Sequence, residues 1–273
     1  MSKIVQKLGT PAMFEAMEAN FAEEMMCFGR GLPGGIVQEG PELWWFYTGR
    51  PHLNGVTMTR LAHSDTLSID KKITAALDFF SAHNTATHWA IAPATRPPDL
   101  AMYLQARGFA PVGEDRNMAI DLRTMNKKLP ARPELVIQEI TNIETLKIHR
   151  DISMRGFDST LEGAQTYYDT YVVNGFGSGT SWHHYTAWLH DTPVGIASLL
   201  LHAGIAGIYG VTTLPEARKQ GIGTALTRHT MLVAHSFGYR IAILAPSQMG
   251  LSLYRALGFQ EMGMTYYYLW SQH

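Results

Sequence analysis

The second half of this chain alternates between two apolar periods. Period-two or continuous apolar runs at Leu135–Ile140, Trp182–Leu189, Val194–His202, Ile205–Thr213, Arg240–Ala245 and Thr265–Trp270 predict strands. Apolar positions spaced three to four apart over Ile143–Met154, Leu161–Val172, Ile222–Ser236 and Met249–Leu257 predict helices. Glycines and an Asp191-Thr192-Pro193 turn separate the three central strands, which favours an antiparallel meander. A meander followed by β-α-β-α-β predicts an α+β or α/β fold, a mixed sheet with helices on its faces.

The first half follows the same plan more faintly. Glu42–Thr48 and Gly55–Leu61 read as paired strands, and Asp70–His83 as a helix with Ile73, Leu77 and Phe80 on one face. His88–Ala92 reads as a strand, Asp99–Arg107 as a helix and Asn117–Leu122 as a strand. Two local matches point to an internal repeat. Trp89-Ala90-Ile91-Ala92-Pro93 parallels Ala242-Ile243-Leu244-Ala245-Pro246, and each is followed by a helix ending in Gly-Phe, at Gly108-Phe109 and Gly258-Phe259. Arg96-Pro97-Pro98 supplies the extra residues of the first copy. Between the copies, the stretch from Arg123 to Pro133 is polar, basic and broken by Pro130 and Pro133. It predicts a first domain over 1–123, a linker over 124–132 and a second domain over 133–273. A chain of 273 residues has room for two cores of about 100–150 residues each.

Composition narrows the function without naming it. An apolar fraction of 46% and a charged fraction of 16% belong to a well-packed globular protein. The formal charge of −1 gives no overall attraction to phosphate backbones or anionic bilayers, so neither nucleic acid nor membrane is an expected partner. Cys27 is the only cysteine, which excludes an intramolecular disulfide and leaves the reading of a small buried hydrophobe. Met1 to Lys7 lacks the apolar core of a secretory signal, and the longest apolar run, near Val194 to Leu201, is too short to cross a bilayer. A cytoplasmic location is therefore expected. No metal is expected either, because the adjacent His183 and His184 on a strand point to opposite faces.

The informative stretch runs from Gly210 to Leu226. A strand ends at Val211-Thr212-Thr213, Pro215 breaks it, and Arg218-Lys219-Gln220-Gly221-Ile222-Gly223-Thr224 leads into an amphipathic helix. A glycine-containing turn at a helix N-terminus leaves backbone N–H groups unsatisfied at the positive end of the dipole. Glycines let that backbone approach a phosphate closely, and Arg218 could add a charge-assisted bond. A diphosphate fits this loop. It is not a Walker loop, since no Gly-Lys-Ser/Thr follows, nor a Rossmann fingerprint, since the third glycine is missing.

About thirty residues on stands Leu253-Tyr254-Arg255-Ala256-Leu257-Gly258-Phe259. With this second block, the order, the spacing and the intervening helix-strand pattern together resemble the GNAT (GCN5-related N-acetyltransferase) superfamily of acyl-CoA-dependent N-acyltransferases. Pro215 to Gly223 looks like its acyl-CoA motif and Leu253 to Phe259 like its C-terminal motif. The whole chain is similar to tandem GNAT proteins, two GNAT-like folds of which the N-terminal one is degenerate.

The resemblance implies acetyl-CoA or another acyl-CoA as co-substrate, with its diphosphate on the N–H groups from Arg218 to Thr224. The strand end Val211-Thr212-Thr213 would run beside the pantetheine arm, and a bulge would splay it from the next strand. An N–H near Val211 would face the thioester oxygen, and Tyr254 would protonate the departing thiolate. Ser247 stands where the family often has an Asn that bonds CoA, a shorter substitute. The base is not identified: the strand Ile205–Thr213 has no Glu or Asp, leaving Tyr209, His202 or His184 to relay a proton through water. The implied acceptor is an amine on a small molecule. A non-catalytic acyl-CoA sensor, or transfer to a thiol or a protein amine, are the competing readings, and a homodimer is compatible with all of them.

The first half lacks both decisive features. Nothing between Arg60 and Asp70 resembles the glycine loop, and Leu104 stands four before Gly108 where Tyr254 stands four before Gly258. Tyr103 is one place out of register, a turn of about 100° on a helix. The first half is expected not to catalyse acyl transfer. Trp44, Trp45, Phe46 and Tyr47 read as core and sheet-face residues. A fragment starting near Leu129 is expected to keep CoA affinity if it folds, though with poor solubility.

Overall fold

The computed structural model describes residues 3–61, 66–125 and 133–271, so nearly all of the linker expected at 124–132 lies outside the described residues. The elements are α1 (Pro11–Gly31), β1 (Ile36–Glu39), β2 (Leu43–Tyr47), β3 (Gly55–Thr59), α2 (Thr66–Ala82), β4 (Thr87–Ile91), α3 (Leu100–Gln105) and β5 (Ala110–Asp121). They continue as β6 (Leu135–Glu139), α4 (Ile143–Gly156), α5 (Leu161–Asn174), β7 (Trp182–Leu189), β8 (Thr192–His202) and β9 (Ile205–Thr213). A single 3₁₀ turn (Pro215–Ala217) precedes α6 (Ile222–Ser236), β10 (Ile241–Leu244), α7 (Leu251–Leu257) and β11 (Gln260–Trp270).

All the helices and strands expected from periodicity are present, and two elements were not anticipated. One is α1, which Thr10 caps by accepting the Met13 N–H and which opens on Pro11, both ordinary helix-start signals. The other is the four-residue β1, antiparallel to β2. The turn expected at Asp191-Thr192-Pro193 starts one residue earlier and is tighter, at His190-Asp191. His190 and Asp191 take left-handed φ values of 47° and 64°, while Thr192 and Pro193 already belong to β8.

The chain folds as two compact units that cut across the sequence halves. One holds the chain up to Asn20 together with Asn117–Met262; the other holds Phe21–Arg116 together with the chain from Gly263. In the first unit the strand order is β6-β7-β8-β9-β10-β5, antiparallel except for the β9–β10 pair. Helices α4 and α5 cover one face: His149, on α4, meets Ser198, and Ile152 packs with Ile196 and Leu214. Helix α6 covers the other face through Ile222, Leu226, Thr230 and Ala234, an i, i+4 stripe buried on the sheet. The strand partner of β10 is the end of β5, whose Met118 and Ile120, with Leu122 just beyond the strand, are core residues. Met13, Ala16 and Met17 of α1 pack on Ile205, Ile241 and Ile243. Asn20 is fully buried, donates to the carbonyls of Leu200, His202 and Ile205, and accepts from the Tyr209 hydroxyl at 2.7 Å.

The second unit has the order β1-β2-β3-β4-β11, again with one parallel pair, β3–β4. Its core gathers Ile73, Phe80, Trp89, Leu100, Leu104 and Phe109. The strand beside β4 is β11, from the end of the chain. Each unit is thus completed by a strand from the other half of the sequence, so the halves are not separable domains. Cys27 is buried, as its reading required. Among the described residues no helix is long and apolar enough to cross a membrane.

Removing everything before Leu129 strips β10 of its β5 partner and uncovers the apolar surface under α1. An unpaired inner strand and a bared core favour aggregation. The expectation that such a fragment keeps CoA affinity is therefore replaced: the fragment should be insoluble. A monodisperse, cooperatively unfolding fragment in solution would contradict this exchange of strands.

Two histidines under α4 add a pH dependence. Burial lowers His149 to about 3, and burial with its neighbour holds His184 well below the ordinary 6.5. Neutral imidazole is the folded form, so their contribution is complete above about pH 6.5 and shrinks as pH falls. Each such group gives a slope of about 1.4 kcal/mol per pH unit. Urea midpoints should fall by the equivalent of about 1–2 kcal/mol from pH 6.5 to 5.5, and His149→Gln should flatten that slope.

Candidate active site

The site is built where β9 leaves β10. Ser198 of β8 faces Tyr209 and Ile196 faces Thr212, so two residues of β9, Gly210 and Val211, oppose the single Ala197. That extra residue is a β-bulge, and Gly210 takes φ +58° to make it. An ordinary L-residue there would be strained by roughly 1–2 kcal/mol. Pairing between β9 and β10 ends at Gly207 and Ile243, short of the bulge. Beyond that point the strands part.

The opening leads into a cavity of about 790 Å³ between the end of β9, the start of α6 and α7. Of the predicted site residues, Val211, Thr212, Thr213, Arg218, Lys219, Gly221, Ile222, Gly223, Thr224, Ser247 and Tyr254 line it, and Gln220 does not. Lys219 and Gly221 both take left-handed φ, 61° and 75°, which turns the loop so that Gly221 caps α6. The first intrahelical bond is Ala225 N–H to Gly221 O. The amides of Ile222, Gly223 and Thr224 therefore have no carbonyl within the helix and sit at its positive end. At Gly223 a side chain would meet nothing closer than Leu253 Cδ1 at 3.5 Å. This is a cradle that a diphosphate can fill.

Arg218 donates its Nε–H to Thr213 O at 3.2 Å and its Nη2 to Gly156 O at 2.9 Å. It braces the loop while lining the cavity. Ser247 accepts the Gly250 N–H at its Oγ, 3.3 Å away, and so starts the turn into α7. Tyr254 is 8% exposed and stands edge-on to Phe259, while the Thr227 hydroxyl donates to Gly223 O at 2.9 Å. Burial pushes its phenol above the ordinary range and the Thr227 hydroxyl partly offsets this, so the group is protonated at neutral pH. It can give a proton and is unsuited to take one.

The cavity has further walls that the sequence reading missed. Arg228 and Met231 follow Thr224 at i+4 and i+7 on α6, a helical spacing that could have located them. Met125, from the stretch read as linker, lines it too, and no sequence signal marks that residue.

Two of the candidate bases are tied into networks: Tyr209 donates to Asn20, and His184 Nδ1 lies 2.7 Å from Ser198 Oγ. The neighbouring His183 ring turns to the opposite face and meets Glu139 at 2.7 Å, so the two histidines do diverge. Among the described residues no cluster of three or more His, Cys, Asp or Glu could hold a metal.

The other unit shows what closing the same slot looks like. Past Val56 and Trp89, where β3 and β4 are paired, Arg96 N–H donates to Thr59 O and Leu61 N–H to Arg96 O. These bonds zip the strand to the following chain at the point where β9 and β10 separate. Trp89, at the position matching Ala242, is fully buried and donates its indole N–H to Thr59 Oγ1 at 2.9 Å. Leu104, in place of Tyr254, is a core residue.

The sequence profile of the Acetyltransferase (GNAT) domain matches residues 180–261, which span the meander, the glycine loop and the Tyr254 block. No curated protein matches the chain. Among solved structures, a GCN5-related N-acetyltransferase from Kribbella flavida superposes with a TM-score of 0.70 at 16% identity, covering 94% of this chain and 96% of that one. A tandem GNAT protein from the clavulanic acid biosynthesis pathway gives 0.65 at 16% identity, over 95% and 96%. A GCN5-related N-acetyltransferase from Sphaerobacter thermophilus gives 0.65 at 16% identity, over 99% and 95%. At these identities the structures speak for the fold alone. Residues 180–261, which hold the bulged β9, the glycine loop and the Tyr254 block, are the part of the chain that matches the GNAT acetyltransferase domain.

Proposed function

We propose that the chain transfers an acyl group, acetyl in the first instance, from acyl-CoA directly to an amine of a small molecule. The observation that carries this reading is the parting of β9 and β10 at a bulge that shares one cavity with the α6 amides and Tyr254. The cradle holds the diphosphate by backbone N–H groups. The strand edge from Val211 to Thr213 pairs with the pantetheine amides, and an N–H beside the bulge stabilises the oxyanion as the amine nitrogen attacks the thioester carbon. As the C–S bond breaks, the Tyr254 hydroxyl passes its proton to the sulfur, the attacking nitrogen sheds its extra proton to solvent water, and Tyr254 is reprotonated from solvent. The closed slot of the other unit leaves one CoA per chain, the tandem arrangement with a degenerate partner.

A second reading, a non-catalytic acyl-CoA sensor, is favoured by one observation: Tyr254 is largely buried and packs edge-on against Phe259, as a core residue would. Release of CoA from acetyl-CoA against a panel of amines, amino acids and aminoglycosides separates the two. A sensor binds tightly and turns over none of them. Transfer to a thiol or protein amine would emerge from the same assay with those acceptors.

Two substitutions test the assignment of residues. Gly223→Asp places a carboxylate in the first turn of α6, which suits the helix dipole but repels a diphosphate. Thermal stability should hold while the acetyl-CoA dissociation constant rises at least about tenfold, or 1.4 kcal/mol; an unchanged constant by calorimetry removes the loop from the site. In wild type the same titration should return one CoA per chain.

Tyr254→Phe removes only the hydroxyl. Affinity should survive and turnover fall by roughly 10²–10⁴-fold. A loss below about threefold, with chemistry rate-limiting, would make Tyr254 a packing residue.

A further inference from the structure

The C-terminal end of α4 is joined to the glycine loop at three points. Arg218 Nη2 donates to the carbonyl of Gly156, the last residue of α4, while its Nε–H holds Thr213 O. Arg155 Nη2 meets Glu216 Oε1 at 2.7 Å on the 3₁₀ turn. Gly156 lies so close to β9 that an added Cβ would stand 2.6 Å from Thr212 Cγ2 and 2.7 Å from its Oγ1. The last carbonyls of a helix lack internal donors and carry the negative end of the dipole, so a guanidinium bridging one of them is well placed. A planar fork can span two carbonyls in fixed geometry, which an ammonium cannot.

Helix α4 packs on the sheet face opposite α6, whose N-terminus forms the cradle. The strand end thus has the cradle on one side of the sheet and the end of α4 on the other. We propose that Arg218 is a positioning residue that couples occupancy of the cradle to the end of α4, so that the co-substrate orders the far side of the slot before the acceptor arrives. This rests on the acyl-CoA reading above. The coupling is reciprocal: an ordered α4 end also favours the co-substrate-bound loop.

Hydrogen exchange on the full chain, with acetyl-CoA as the probe, reads this without knowledge of the acceptor. In wild type, acetyl-CoA should slow exchange over 213–225 and also over 150–157. In Arg218→Gln the first protection should persist while the second should be lost. Arg218→Lys keeps the charge but not the fork and should behave like Arg218→Gln. Gly156→Ala breaks the joint from the helix side, should give the same pattern, and carries the test together with Arg218→Lys if Arg218→Gln is unstable. Protection over 150–157 that survives in all three variants overturns the coupling. A dissociation constant raised about tenfold in Arg218→Gln and restored by Lys makes Arg218 a phosphate ligand instead. If wild type itself does not bind acetyl-CoA, the acyl-CoA reading falls and the coupling falls with it.

Discussion

Hydrogen-bonding groups of a strand edge inside a protein need partners, and the parting of β9 from β10 leaves such an edge open. The bulge at Gly210–Val211 produces that opening, and the rest of the unit is arranged around it. Upstream, Asn20 stitches the β8–β9 hairpin through four hydrogen bonds, one of them from Tyr209 beside the bulge. Gly207 must be glycine here, because a Cβ would lie 2.1 Å from Asn20 Oδ1. Downstream, Arg218 and Gly156 fix the strand end. The opening is a held geometry with anchors on both sides. A ligand carrying its own amides, as a pantetheine arm does, answers the need of that edge.

The other unit shows the alternative solution to the same constraint. There the edge of β3 is satisfied by the chain around Arg96, and Trp89 is fully buried with its indole N–H bonded to Thr59. Restoring a slot would need the removal of a large buried indole and the breaking of strand-like backbone bonds, changes that each destabilise a packed core. What the unit keeps is the plan of a mixed sheet, and β11 from the end of the chain completes that sheet beside β4.

Much of this was legible in the sequence, and the reasons differ by element. Strands β7 and β9 and helix α6 have the expected bounds because their periods are unambiguous and a turn or glycine ends each one. The glycine loop was legible because the left-handed φ at Gly221 restricts residue type there. Helix α1 was missed although Thr10-Pro11 marks its start; its buried side mixes Met and Ala with Asn20, so apolar periodicity alone understates it. Strand exchange could not be read at all, since β5 and β11 look alike as strands and only tertiary pairing decides which neighbour each takes.

Arg218 shows a more general limit on reading sites from motifs. A cation beside a glycine loop invites a phosphate contact, yet the backbone cradle already supplies donors and a dipole without any side chain. A chain with a formal charge of −1 can thus offer a polyanion site whose selectivity lies in loop conformation and not in net charge. The cation is then available for another task, and the nearest unsatisfied acceptors are the carbonyl at the end of α4 and that of Thr213. Two carbonyls from different elements, bridged by one rigid fork, tie the helix to the strand end more firmly than an exposed ion pair such as Arg155–Glu216 can. The motif residue matters for how the loop is held, and the loop's own amides matter for what it holds.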